Sequence, residues 1–285
     1  MNQVTDQQII EILRKEAVPA LGCTEPVACA LACAKCKEVL GGVPERLDVL
    51  VSGNIYKNGM GVGIPGTGMV GLPIAAALGA VCGKSEYGLE VLKEVNVGDN
   101  LQRAKDMLGQ VTVSLKEDAP DKLYAEALAT KGNDRVKVII AHTHTNIVLV
   151  EKNGEEIFKR EFRLDTSKPE DKGPELSVKR IWDFVHEVDV KDIEFVLQGA
   201  EMNKAISAEG LNSEYGLQIG KTLKENIDKG LLEDDLLNRT LIRATAASDA
   251  RMDGCPKPVM TNSGSGNQGI TVYLPVVVAA EKFGA

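Results

Sequence analysis

The sequence predicts an α+β protein: a helical part built from both ends of the chain, with an inserted α+β part whose sheet is mostly antiparallel. Three observations carry this. Apolar residues recur at helical spacing up to residue 40 and again after residue 172. From Arg46 the period shortens to that of strands separated by turn residues. A charged, proline-bearing stretch over 165–174 then separates the strands from the later helices. The expected division is residues 1–40 with 172–285 for the helical part, carrying the pocket loops, and 41–171 for the insertion.

Asp6 is placed to cap a helix over 7–16, where Ile9, Ile10 and Leu13 share a face, and Pro19 stops it. Thr24 reads as the cap of a second helix, with Glu25 and Pro26 suited to its first turn, running to about residue 40. A strand over 47–51 leads into a polar loop over 52–59. A short strand over 61–64 leads into the glycine turn 65–68 and a small-residue helix over 72–79. Helices over 88–95 and 100–108 precede strands over 111–116, 123–129, 136–150 and 155–162. Asn153-Gly154 marks a type I′ hairpin turn. Further helices are expected over 178–187, 193–208, 217–227 and 236–247, and one starting near Ile270.

The 285 residues suffice for a sizeable core. A net charge of −8 argues against a general nucleic-acid surface. The N-terminus has neither the basic nor the apolar segment of a secretory leader, so a cytoplasmic location is expected. The most apolar runs, 72–81 and 270–280, are too short to span a bilayer. The six cysteines are expected as reduced thiols or metal ligands rather than disulfides. Cys29, Cys33 and Cys36 fall at i, i+4 and i+7 of an alanine-rich helix, so they read as a buried stripe and not as a loop that wraps a cluster.

Three polar, glycine-bearing stretches look like the walls of one small polar pocket: 52–59, 65–71 and 261–269. Amides, hydroxyls and glycines over 261–269, followed by an apolar helix, suit a concave anion site at a helix start. Cys23 stands just before a helix N-terminus, where the dipole favours thiolate. His142 and His144, two apart in a strand, would share a face opening on the pocket. Asp249 and Arg251 adjoin the pocket loop and are candidates for a structural pair.

Taken together, Gly22-Cys23-Thr24-Glu25-Pro26, Ser52-Gly53-Asn54-Ile55-Tyr56-Lys57-Asn58, Pro65-Gly66-Thr67-Gly68, His144-Thr145-Asn146-Ile147, Asp249-Ala250-Arg251-Met252 and Asn262-Ser263-Gly264-Ser265-Gly266-Asn267-Gln268-Gly269 resemble the L-cysteine desulfidase family, related to the alpha subunit of iron–sulfur L-serine dehydratase. The resemblance covers essentially the whole chain. It implies a pyridoxal-independent lyase with a [4Fe-4S] cluster, converting L-cysteine to hydrogen sulfide, ammonia and pyruvate. Family members continue well past Ala285, and the cysteines that hold the cluster lie in that continuation, so cluster binding by these residues alone is not expected. L-serine dehydration, or a non-catalytic amino-acid-binding module, is the alternative.

An amino-acid substrate implies roles for particular residues. Ser263, Ser265, Gly66, Thr67 and Gly68 would bind the carboxylate, while Asn54, Asn58 and Asn267 would orient the substrate. His144 would face the same pocket, and Lys57 would add positive charge. Cys23 would act as base or as a transient cluster ligand. A small-molecule amino acid is the expected partner, with no nucleic acid and no membrane, and a homo-oligomer is left open.

Overall fold

The computed structural model describes residues 4–160 and 176–284. The expected linker and the last residues of the expected strand over 155–162 lie mostly outside this range. Helix α1 (Asp6–Glu16) is followed by β1 (Pro19–Ala20), α2 (Thr24–Leu40), β2 (Arg46–Val51) and α3 (Gly53–Gly59). Next come β3 (Gly63–Ile64), β4 (Met69–Val70), α4 (Leu72–Val81) and α5 (Asn100–Met107). The strands β5 (Val111–Leu115), β6 (Tyr124–Lys131), β7 (Asp134–Ala141), β8 (Ile147–Lys152) and β9 (Glu155–Lys159) follow. After the undescribed segment stand α6 (Val178–Glu187), α7 (Val190–Ile193), α8 (Leu197–Asn212), α9 (Ile219–Asp228), α10 (Leu236–Met252), β10 (Val259–Met260) and α11 (Gly266–Phe283).

The α+β class is correct. Six strands form one sheet in the order β5-β2-β6-β7-β8-β9, and only the β2–β5 pair is parallel. The β8–β9 hairpin turns at Asn153 and Gly154, both at positive φ, as a type I′ turn requires.

One face of this sheet is covered by α2, with α4 packed on α2. Helix α2 is apolar on nearly every side, and such a helix has no solvent face to offer. Its alanines and cysteines let neighbouring backbones approach closely. Cys29, Cys33 and Cys36 are fully buried here, and larger side chains such as Leu31, Leu47 and Ile74 complete the core. Each of these larger residues contributes about 1.5–3 kcal/mol relative to exposure.

The two cores divide the first forty residues between them. Helix α2 belongs to the core of the sheet and not to the C-terminal helices. Only the preceding residues join the latter: β1 pairs antiparallel with β10, and Ile9 and Ile10 of α1 pack with Phe184 of α6. A second core lies among α8, α10 and α11, around Ile206, Ala247, Ile270 and Leu274.

Several local expectations change. Thr5, not Asp6, caps α1, in a reciprocal arrangement with Gln8: the Gln8 N–H donates to Thr5 Oγ1 at 3.2 Å and the Thr5 N–H to Gln8 Oε1 at 2.9 Å. Cys23, not Thr24, is the cap residue of α2. The stretch 52–59 is a short helix, because Ser52 accepts a hydrogen bond from the Ile55 N–H and starts it. The expected strand over 136–150 breaks at 142–146 into a turn, with His142 at a φ of 69°. The two histidines therefore do not share a strand face. His142 Nδ1 lies 2.6 Å from Asp121 Oδ2, while His144 turns elsewhere.

Candidate functional site

Residues from both cores meet where α2 and α11 begin. Gly22 delivers the chain to this point at a φ of 76°, and a Cβ there would lie 2.7 Å from the Pro65 ring. Cys23 follows. The dipole argument predicts a thiolate, and the structure reverses it. The thiol is only 7% exposed and donates to Glu25 Oε2 at 2.8 Å. Burial, helped by the negative charge of Glu25, pushes its pKa up to about 12, and the nearby Arg251 only partly offsets this. The proton stays on sulfur because burial, helped by the carboxylate beside it, outweighs a partial dipole charge.

Glu25 is the hub. Its other oxygen, Oε1, accepts from Asn58 Nδ2 at 3.3 Å. Burial pushes its pKa up, but the Cys23 thiol, a backbone N–H, the charge of His144 and the Asn58 amide together bring it below the ordinary carboxylate value. Burial lowers the His144 pKa and Arg251 lowers it further, against the pull of Glu25.

Arg251, in the last turn of α10, is 3% exposed. Its Nη1 donates to Asn267 Oδ1 at 3.0 Å and lies 3.7 Å from Met252 Sδ. Its Nε has no hydrogen-bond partner. Gly266 makes the burial possible, since a Cβ there would stand 2.6 Å from Arg251 Cζ. The expected pairing of Arg251 with Asp249 does not occur. Residues two apart on a helix point to different sides, and Asp249 Oδ2 instead accepts from the Ile219 N–H at 2.7 Å, at the start of α9.

Ser265 caps α11 by accepting from the Gln268 N–H, and Asn262 and Ser263 close the tight turn before it. Ser263 is at a φ of 49° and Gly264 at 75°. His144 Nδ1 lies 3.7 Å from where a Gly264 Cβ would be, which brings the β7–β8 turn to the α11 turn. Cys23, Asn58, His144 and Asn267 thus gather around Glu25 and Arg251.

The remaining candidates stand apart. Lys57 is exposed and makes no hydrogen bond or ion pair among the described residues. Asn54 lines a hollow of about 330 Å³ with Leu115, Lys116 and Asp121, and has no hydrogen bond to Cys23 or Glu25. The Thr67 hydroxyl is taken by its own turn, donating to Ile64 O at 2.7 Å and accepting from the Met69 N–H at 2.9 Å. The Gly66 N–H donates to Gly254 O, and Gly68 is exposed. The turn 65–68 therefore supports Gly22 through Pro65 rather than presenting donors beside Cys23.

Sequence reasoning undervalued Glu25 and Arg251. Both lie inside quoted motifs, but Glu25 reads as an ordinary first-turn acid and Arg251 as a helix-end cation. The one available signal is for Glu25, which stands in a stretch otherwise made of small or apolar residues.

A [4Fe-4S] cluster does not fit these residues. Among the described residues no three His, Cys, Asp or Glu side chains converge on one point. Cys29, Cys33 and Cys36 face the apolar interior, and the Cys23 thiol is bonded to Glu25.

Residues 86–285 match the family model described as serine dehydratase alpha chain. The chain belongs to that family. It is similar to the UPF0597 protein of Actinobacillus pleuropneumoniae serotype 3, 49% identical over 96% of this chain and 64% of the relative. The UPF0597 protein of Dichelobacter nodosus is 49% identical over 98% of this chain and 64% of its own. That of Parabacteroides distasonis is 46% identical over 99% and 66%. The chain thus spans about two thirds of the length of these relatives. No solved structure matches. No helix among the described residues is long and apolar enough to cross a membrane.

The charge states at the site set a pH dependence. An unfolded histidine titrates near 6.5 and His144 in the fold titrates lower, so the unfolded chain takes up the proton first. Stability is present above 6.5 and is lost as pH falls through the folded pKa. Glu25, lowered from 4.5, adds a further loss in more acid solution. The urea midpoint should decline between about pH 7 and pH 5, and His144→Gln should flatten that decline. Parallel profiles for the two proteins would remove His144 from the account.

Proposed function

We propose that this chain provides the amino-acid site of a pyridoxal-independent lyase that converts L-cysteine and water to hydrogen sulfide, ammonia and pyruvate. The observation that carries this reading is the opposition of Glu25 and Arg251 across Cys23, with Asn58, His144 and Asn267 at the rim. A zwitterion needs both charges in one place. The Arg251 fork and the first N–H groups of α11 suit a carboxylate, and ionised Glu25 suits an ammonium. The asparagine amides supply donors and acceptors that fix which face of Cα meets Cys23.

In this reading Cys23 acts only after its proton passes through Glu25, which accepts from the thiol, to His144, which Glu25 feels by charge, so that Glu25 is left ionised. The sulfur then removes the α-proton, the β-thiol leaves, and the resulting enamine tautomerises and hydrolyses. Ammonia and pyruvate are released with the sulfide. The sulfide departs as HS−, and no described residue is assigned to protonate it. The cluster implied by the resemblance does not fit them, so no step is assigned to it.

Titration of the purified chain with L-cysteine, L-serine, D-cysteine and L-alanine, read by calorimetry, tests the site. Saturable binding of L-cysteine over D-cysteine is expected, weakened at least tenfold in Asn267→Ala. L-serine binding without L-cysteine binding would favour a dehydratase. Binding of none of the four would sink the amino-acid reading.

A further inference from the structure

Away from the Cys23 site, α1, α8 and α11 enclose a groove of about 560 Å³. Its floor includes Leu13, Ala17, Leu197, Ala200, Val272 and Val276. Val276 is 68% exposed, Val272 45% and Leu197 60%. On α11, Val272 and Val276 are one turn apart, and exposed Phe283 continues the apolar surface. A soluble protein does not ordinarily leave such a stripe uncovered on a helix whose opposite face is already buried, as Ile270 and Leu274 are.

We infer that this groove is the seat of the part of the family fold that has no counterpart among these 285 residues. Two observations select this occupant. First, relatives 46–49% identical over nearly all of this chain carry a further third of their length outside the match. At that identity the shared residues fold alike, so an apolar face left open on them is a surface that an additional third of the chain would cover. Second, the groove runs along α11 and ends at Thr261 and Asn262, which open the turn carrying Ser263 and Asn267. An occupant of the groove would therefore abut the Glu25–Arg251 site, where the described residues lack help for the leaving group. Glu16, Glu201 and Glu281 stand at its edges with Lys204, so the occupant should be apolar along its length and basic at its margins.

The intact Actinobacillus relative provides the test. A photo-crosslinking benzoylphenylalanine at the position aligned with Val276 should cross-link within the chain, to the third that lies outside the match. Carbene footprinting should show that position labelled in the present chain and protected at least fivefold in the relative. Analytical ultracentrifugation of the present chain and of Val276→Asp serves as the second measurement. Cross-links to a second copy, or a dimer of the present chain that Val276→Asp dissociates, would make the groove a self-association surface and overturn the proposal. Equal labelling in both proteins, or cross-links confined to the matched residues, would overturn it as well.

Discussion

Replacing Arg251 with alanine should lower stability by about 3–5 kcal/mol, the range for removing one partner from a buried charged network. The guanidinium is 3% exposed, and nothing else described here supplies positive charge at its position between Glu25 and the start of α11. Its loss leaves Asn267 Oδ1 without a donor and Glu25 with less compensation in a buried setting. Burial of Arg251 itself is unfavourable, and its pKa is lowered by that burial against the raising effects of Cys23 and Glu25. Lysine keeps the charge but not the planar fork, so Arg251→Lys should recover only part of the loss. Urea denaturation of the three proteins near neutral pH measures this. A midpoint for Arg251→Ala within the ordinary scatter of surface substitutions, about 0.5 kcal/mol, would show that the network does not hold the two cores together.

The second large effect is on the thiol. Glu25→Gln removes a negative charge that helps keep the proton on Cys23, and leaves burial, which raises the pKa, against Arg251, which lowers it. Cys23 should titrate below its present value of about 12, though still above the ordinary 9.0. The sign follows from the causes: burial and the Glu25 charge both raise the value, and Arg251, now unopposed, lowers it. Because thiolate is the reactive form, alkylation of Cys23 at about pH 9 should speed up by roughly tenfold for each unit of decrease. The readout is mass spectrometry of the Cys23 peptide after timed iodoacetamide exposure. Cys29, Cys33 and Cys36, all fully buried, serve as internal references that should not change. An unchanged Cys23 rate, with the fold intact, would mean that Glu25 does not govern the proton. The same substitution should abolish selective binding of L-cysteine if Glu25 meets the substrate ammonium.

Local signals located most of the elements. The type I′ turn at Asn153-Gly154 is a property of two residues and needs no tertiary context. Helix α6 begins and ends where its pattern says, because Ser177 caps it and its apolar face is regular. Where signals were mixed, a single side-chain bond decided. Ser52 turned a polar loop into a helix, and the positive φ of His142 interrupted a strand. The placement of α2 was not legible. Its apolar residues run all round, so the pattern indicates burial without indicating against what.

By itself the sequence determined the α+β class, most of the sheet strands, the stripe of buried cysteines and the relation to the serine dehydratase alpha chain, because each depends on periodicity or on ordered local motifs. Tertiary structure alone decided the burial of Cys23, the meeting of Glu25 and Arg251 around it, and the separation of Lys57, Asn54 and Thr67 from them. The reason is that charge and burial depend on distances between residues far apart in the chain. Arg251 meets Asn267 across a helix end, and Cys23 meets them only when α2 packs on the sheet and β1 pairs with β10. A dipole at a helix start is visible in sequence. The burial that outweighs it, and that strengthens the effect of the neighbouring carboxylate, exists only once the packed neighbours have removed the water around both groups.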